Sequence, residues 1–94
     1  MRIKLVTNIL NDLTGLQSEV DLPDIGEITL QGLLDHLVKR YGERVRHRIY
    51  VKKDIAPYIT VMINGKPISL AGCMGHRLQD GDQVNLITAI VAGG

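Results

Sequence analysis

Apolar and polar positions alternate in two stretches near the start of the chain, a pattern typical of half-buried strands. In residues 2–7, Ile3 and Leu5 share one side of the predicted strand. Residues 18–22 alternate in the same way. Residues 8–15 lie between them and carry apolar residues at helical spacing. The order predicted for this part of the chain is strand, short helix, strand.

Residues 29–42 carry the clearest helical pattern in the chain. Thr29 is a suitable N-cap residue, and Gly42 stands where a C-terminal glycine commonly ends a helix. The apolar residues between them recur every three or four positions, at Leu30, Leu33, Leu34, Leu37, Val38 and Tyr41. This spacing predicts an amphipathic helix with one buried face.

The segment from Glu43 to Pro57 gives mixed signals. Its first half alternates arginines with Val45, His47 and Ile49, which favours a short edge strand. Five basic residues crowd into this segment: Arg44, Arg46, Arg48, Lys52 and Lys53. They form either a solvated loop or a patch that attracts an acidic partner or phosphate groups.

A hairpin and a final strand are predicted in the second half of the chain. Residues 58–63 are apolar and partly β-branched, Asn64-Gly65 is a strong signal for a tight turn, and residues 66–70 form the returning strand. The turn-forming residues 78–82 then precede a last strand from Gln83 to about Ile90.

These elements predict an α+β protein in which a mixed sheet of four to five strands packs on one main helix. The first and last strands are expected to lie side by side at the centre of the sheet. This is a β-grasp, or ubiquitin-like, arrangement. Residues 1–94 are interpreted as a single domain, since a chain of this length supports one modest core.

The chain loses side-chain bulk towards its end, in the flexible tail predicted for residues 91–94. Gly93 and Gly94 have no Cβ atom, so they can lie against a partner at close range. A frayed terminus is the alternative interpretation, because chain ends are commonly disordered and glycine-rich.

Composition narrows the classes of function. Cys73 is the single cysteine, which excludes an internal disulfide scaffold and favours a reducing, cytoplasmic location. No signal peptide or membrane-spanning segment is visible. The three histidines, His36, His47 and His76, lack the spacing of a metal site, so no bound metal is expected. The pair Asp80 and Asp82 flanks a glycine and is interpreted as forming a turn rather than an acid-base site.

Three features together carry a family resemblance: the Asn64-Gly65 turn, the run Leu78-Gln79-Asp80-Gly81-Asp82-Gln83-Val84, and the closing Val91-Ala92-Gly93-Gly94. A β-grasp chain with these features resembles the ubiquitin-like sulfur-carrier family, which includes the thiamine sulfur carrier and the small subunit of molybdopterin synthase. The length of the chain favours the molybdopterin type. One departure is Ile87-Thr88-Ala89, where family members often carry an aromatic residue or prolines.

The resemblance implies a carrier protein rather than an enzyme. A partner resembling the ubiquitin-activating enzymes would use ATP to adenylate the Gly94 carboxylate, and sulfur from a persulfide or sulfurtransferase would convert it to a thiocarboxylate. The sulfur would then pass to an acceptor enzyme that resembles the large subunit of molybdopterin synthase. The resemblance implies no cofactor bound by this chain. Its tail and partner-binding residues would be Gly93, Ala92, Val91 and Ile87.

Two other functions remain open from the sequence. A ubiquitin-like modifier would use the same adenylation but end as an amide on a target lysine. A non-covalent β-grasp binding module would use the basic segment, although no nucleic-acid motif accompanies it and nucleic acid is not the expected partner. The pathway is also open between molybdenum or tungsten cofactor, thiamine, cysteine and tRNA thiolation.

Overall fold

A mixed five-stranded sheet with one main helix against it forms the centre of the protein. Its computed structural model describes residues 1–23 and 28–88. The elements follow in chain order as β1 (Arg2–Thr7), α1 (Asn11–Thr14), β2 (Gln17–Asp21), β3 (Ile28–Thr29), α2 (Leu30–Tyr41), α3 (Glu43–Ile49), β4 (Tyr50–Val51), β5 (Asp54–Ile55), β6 (Ile59–Ile63), β7 (Lys66–Pro67), a 3-10 turn (Cys73–Gly75), β8 (Arg77–Leu78) and β9 (Gln83–Thr88).

The first and last strands are neighbours in the sheet, as the sequence predicts. The strand order is β2-β1-β9-β6-β7. β1 and β9 run parallel, with Leu5 opposite Val84, whereas the other neighbouring pairs are antiparallel. Two short two-stranded ladders, β3 with β8 and β4 with β5, lie outside this sheet. The arrangement is the β-grasp fold.

The core lies between one face of the sheet and α2. Alternation along the central strands turns Ile3, Leu5, Val61, Val84 and Leu86 inward, and each is fully buried. The leucines of α2 meet them at Leu30, Leu33, Leu34 and Leu37. Burying one leucine side chain contributes about 1.5–3 kcal/mol to folding, so this apolar face is what holds the helix on the sheet.

Both predicted ends of α2 are confirmed. The Thr29 hydroxyl accepts a hydrogen bond from the Gly32 amide at 3.2 Å, which satisfies one free amide of the first turn. Gly42 has a φ of 89° and its amide donates to the Val38 carbonyl at 2.7 Å. A positive φ of this kind favours glycine and turns the chain sharply into α3.

The expected edge strand after Gly42 is wrong, because Glu43–Ile49 forms the helix α3. Val45 and Ile49 stand four residues apart, so a helix places both on one face, and both are fully buried. His47, which a strand would have placed beside them, is exposed. The arginine alternation is compatible with either structure over so short a segment, and burial of the two aliphatic residues decides it.

The hairpin forms at the predicted place. Asn64 and Gly65 have φ values of 52° and 83°, the positive angles that a two-residue hairpin turn requires. The returning strand β7 covers only Lys66–Pro67, so it is shorter than the predicted residues 66–70. The Ile68 amide still donates to the Val61 carbonyl before the chain leaves the sheet.

The last strand is described as far as Thr88. The predicted strand residues Ala89 and Ile90 and the predicted tail, residues 91–94, lie outside the described residues. Among the helices that the structure describes, none is both long and apolar enough to cross a membrane.

Candidate partner-docking site beside the last strand

Of the five residues named for the tail and its partner contacts, Ile87 lies within the described part of the chain. It is in β9, where alternation sends Val84 and Leu86 into the core and leaves Asn85 and Ile87 on the open face of the sheet. Ile87 is half-buried and lies opposite Thr60 of β6. Gly94, Gly93, Ala92 and Val91 lie outside the described residues, and their roles stay predictions.

An open groove of about 280 Å³ lies between Ile87 and the chain around α1. Its apolar lining comes from Val6, Leu16 and Ile87, and Thr7, Asn8 and Gln17 complete it. Leu16 is 61% exposed, which makes it the most exposed of the large apolar side chains that the structure describes. The groove therefore offers apolar surface directly beside the strand that leads to the tail.

Leu16 was not identified from the sequence. It follows Gly15 in the turn between α1 and β2, outside both of the predicted elements at residues 8–15 and 18–22. Its backbone carbonyl accepts a hydrogen bond from the Thr7 amide at 3.0 Å, which fixes its place beside β1. An apolar residue that immediately follows a turn glycine, between two predicted elements, is the signal that the sequence offers.

Met62 shares the open face with Ile87, but it does not line the groove. It lies opposite Asn85 on β9 and Pro67 on β7, towards the other edge of the sheet. Met62 is half-buried. Met62 adds apolar surface to the open face of the sheet, but not to the groove.

At the base of the tail, the Asn8 side chain binds the backbone of Thr88. The Asn8 amide nitrogen donates to the Thr88 carbonyl at 2.9 Å, and the Thr88 amide donates to the Asn8 side-chain oxygen at 2.9 Å. The last described residue of the chain is thus bonded to the residue that follows β1.

The two aspartates before β9 form a turn, as predicted, and not an acid-base pair. Asp80 accepts from the Arg2 amide at 2.7 Å, and Asp82 accepts from the Gln79 amide at 2.8 Å. Asp82 also accepts from the side-chain amide of Asn64 at 2.9 Å. These bonds lie where β9 begins, about 20 Å of strand away from its Thr88 end. They anchor the start of the strand whose other end leads to the tail.

The residues considered as a nucleophile or as metal ligands do not form a site in the part of the chain that the structure describes. Cys73 is buried, and burial raises the pKa of its thiol, so the thiol is not prepared as a nucleophile. Within residues 1–23 and 28–88, no three metal-binding side chains come together.

Part of the basic segment is neutralised by ion pairs within the chain. Arg48 pairs with Asp12, and Arg46 pairs with Glu43 at 3.0 Å. Lys52 and Lys53 remain exposed beside a cavity of about 220 Å³ that is also lined by Tyr50. Burial, followed by the nearby charge of Asp35, raises the pKa of the Tyr50 hydroxyl. The segment is a mixed polar surface rather than a continuous cationic one.

Comparison with known families decides the class of protein. The sequence profile of the ThiS family matches residues 5–94, nearly the whole chain. The chain belongs to the ThiS family. A comparison with curated protein sequences gives no match. Membership confirms the resemblance to ubiquitin-like sulfur carriers stated from the sequence, and the coarse class is a small carrier protein.

Solved structures show the same fold at low sequence identity. This ThiS-family chain is similar to SAMP1 from Haloferax volcanii, with a TM-score of 0.75 and 23% identity over 100% of both chains. It is similar to a chain of the Amycolatopsis orientalis BexX/CysO complex, with a TM-score of 0.74 and 19% identity over 95% of this chain and 97% of that one.

A third similar structure is a putative molybdopterin converting factor, subunit 1, from Pyrococcus furiosus. It has a TM-score of 0.63 and 18% identity over 96% of this chain and 99% of that one. At these identities the three structures establish the β-grasp fold of the chain.

Proposed function

We propose that the protein is a sulfur carrier whose Gly94 carboxylate is adenylated by a partner enzyme and converted to a thiocarboxylate. The thiocarboxylate donates sulfur in cofactor biosynthesis of the molybdopterin type. The observation that carries this proposal is the ThiS-family match over residues 5–94, which includes the closing Gly93-Gly94.

The chemistry explains why the carrier needs a partner. A carboxylate is a poor electrophile, so the activating enzyme joins it to AMP from ATP and releases pyrophosphate. A persulfide then attacks the acyl carbon, AMP leaves, and a second thiol cleaves the sulfur-sulfur bond to free the thiocarboxylate. ATP is bound and used by the partner, and this chain supplies the acyl group. The persulfide and thiol in these steps require a reducing setting, so we assign the protein to the cytoplasm.

The groove lined by Val6, Leu16 and Ile87 is the docking surface in this proposal. Ile87 precedes Val91 by four residues, a reach of at most about 14 Å in extended chain. An activating enzyme or acceptor enzyme that holds residues 91–94 therefore covers the groove as well. With no aromatic residue before the tail, these aliphatic side chains supply the buried apolar contact.

Pyrophosphate exchange with the cognate activating enzyme tests the proposal. Removal of Gly93 and Gly94 abolishes ATP-pyrophosphate exchange. Ile87→Ala raises the KM for the carrier about tenfold, because a buried aliphatic contact at the interface is lost. Ile68→Ala is the matched control, since Ile68 is also half-buried but lies away from the groove, and it leaves KM unchanged. Full exchange by the truncated chain contradicts the proposal.

A ubiquitin-like modifier is the second candidate, and the similarity to SAMP1 favours it. A related structure of the same Haloferax volcanii protein is described as small archaeal modifier protein 1. Both functions use an adenylated Gly94, but the modifier ends as an amide on a lysine of another protein. Stable conjugates that survive reducing denaturation, in place of a thiocarboxylate, identify the modifier.

A further inference from the structure

The hydrogen-bonding pattern of β9 fixes the direction in which the Thr88 backbone points. The Asn64 amide donates to the Gln83 carbonyl at 2.8 Å, which marks this opposed pair of β6 and β9 as hydrogen-bonded. Bonded and non-bonded pairs alternate along an antiparallel ladder. Counting along the register makes Ile59 and Thr88 a non-bonded pair. The amide and carbonyl of Thr88 therefore point away from β6, towards the β1 side.

β1 has no strand residue left to receive these groups. It ends at Thr7, whose partner on β9 is Leu86, two residues before Thr88. The side chain of Asn8 takes this place, accepting from the Thr88 amide and donating to the Thr88 carbonyl, both at 2.9 Å. An asparagine side chain carries an acceptor and a donor in one plane, as a peptide group does. It extends the ladder by one step beyond the strand.

Asn8 is itself held by the turn that carries it. The Thr7 hydroxyl accepts from the Ile9 amide at 3.1 Å and from the Leu10 amide at 3.4 Å. Arg48 donates to the Ile9 carbonyl at 3.4 Å. Thr7 and Leu10 are buried, so the turn is fixed to the core on both sides of Asn8. The side-chain amide that binds Thr88 is therefore carried by a turn that hydrogen bonds and buried neighbours hold in place.

We infer that Asn8 is a positioning residue that fixes the place and orientation of the Thr88 backbone, from which the chain continues towards Gly94. This inference rests on the proposed function, in which a partner must receive residues 91–94. Fixing Thr88 in the free carrier removes part of the ordering cost of docking. We therefore expect the Asn8–Thr88 contact to lower the KM for the carrier. It should leave kcat nearly unchanged, because kcat depends on how the partner binds Gly94.

Amide hydrogen exchange of the isolated protein tests the physical part of this inference. In Asn8→Ala the Thr88 amide exchanges at least about tenfold faster than in the wild type, while amides of the central strands are unchanged. Asn8→Asp keeps the acceptor for the Thr88 amide but loses the donor to the Thr88 carbonyl, so we expect its Thr88 amide to exchange more slowly than in Asn8→Ala. Asn11→Asp adds the same charge at an exposed position in α1 and leaves Thr88 exchange unchanged. Unaltered Thr88 exchange in Asn8→Ala overturns the inference.

Adenylation kinetics of the same variants test its functional part. Asn8→Ala and Asn8→Asp raise the KM for the carrier about five- to tenfold with kcat nearly constant, whereas Asn11→Asp matches the wild type. An unchanged KM in Asn8→Ala, with accelerated Thr88 exchange, overturns the role of Asn8 in docking. If the wild-type chain is not adenylated at all, the proposed function fails, and the exchange experiment decides the Asn8 contact independently.

Discussion

Arg48 of α3 binds Asp12 of α1 through two parallel hydrogen bonds, one from each terminal nitrogen of its guanidinium. The same guanidinium donates to the Ile9 carbonyl, so it connects the turn between β1 and α1 to α3. This turn carries Asn8, and one wall of the groove lies beside it. Arg48 makes this contact from α3, the helix that forms in place of the expected edge strand.

The pair makes stability depend on pH in a defined window. The hydrogen bond from Arg48 lowers the pKa of Asp12 below its ordinary value of 3.8. A carboxyl group whose pKa is lower in the folded than in the unfolded state stabilises the fold above the unfolded value, and the benefit is lost as the pH falls through the folded value. We therefore expect Asp12→Asn to be less stable than the wild type at pH 6 to 7, with the difference shrinking below pH 3.8.

Urea unfolding at a series of pH values measures this difference. The control is the same Asp12→Asn substitution in the Arg48→Ala background, where Asp12 has lost the donor that lowers its pKa. In that background the pH-dependent effect of Asp12→Asn on the free energy of unfolding should be much smaller, because only a backbone hydrogen bond and the charge of Arg44 still lower the pKa of Asp12. Persistence of the full effect there contradicts the assignment to Arg48.

The positive φ of Gly65 in the hairpin turn predicts that its replacement by alanine destabilises the protein. Gly65 has a φ of 83° and open space where a Cβ atom would stand, so Gly65→Ala has a conformational cost without a steric clash. We expect it to lower the free energy of unfolding by about 1–2 kcal/mol. Gly75→Ala is the matched control, because Gly75 has equally open space and no positive φ, and it should be nearly neutral. Chemical denaturation of both variants measures the effect, and equal losses contradict the explanation.

The burial of the Cys73 thiol leads to a prediction that distinguishes Gly94 from Cys73 as the residue that carries sulfur. Cys73 is 4% exposed, and burial raises the pKa of its thiol, so at neutral pH it is protonated and shielded. A thiol-specific reagent should label the native protein slowly and the unfolded protein fast. Cys73→Ala should retain sulfur loading at Gly94. Rapid labelling of the native protein would contradict the shielding of the thiol, and loss of loading in Cys73→Ala would contradict the assignment of sulfur to Gly94 alone.

Local patterns in the sequence predicted most of the fold. The alternation in β1 and β2, the leucine spacing and caps of α2, and the Asn64-Gly65 turn are each encoded within a few neighbouring residues. The segment of α3 was misassigned because seven residues can satisfy both a two-residue and a four-residue periodicity. Only its burial in the core resolves the choice, and burial is a property of the whole fold.

The candidate site was less predictable than the fold. The position of Ile87 just before the tail predicts its role, whereas no sequence pattern points to Leu16 or Asn8. Asn8 and Thr88 are separated by 80 positions, and nothing in the residues around either one encodes their contact. The contact follows from the parallel pairing of β1 with β9, which places the residue after Thr7 beside the base of the tail. Such long-range placement requires the folded structure.

The mass of the chain after incubation with its activating enzyme, ATP and a persulfide donor tests the central claim most directly. We expect an increase of about 16 Da, the exchange of one oxygen for sulfur, confined to the C-terminal peptide and absent when Gly93 and Gly94 are removed. An increase of about 32 Da on the peptide containing Cys73 would instead show a persulfide at that residue. That result, or formation of the adenylate with no subsequent gain of sulfur, would contradict the assignment of this chain as a sulfur carrier acting through Gly94.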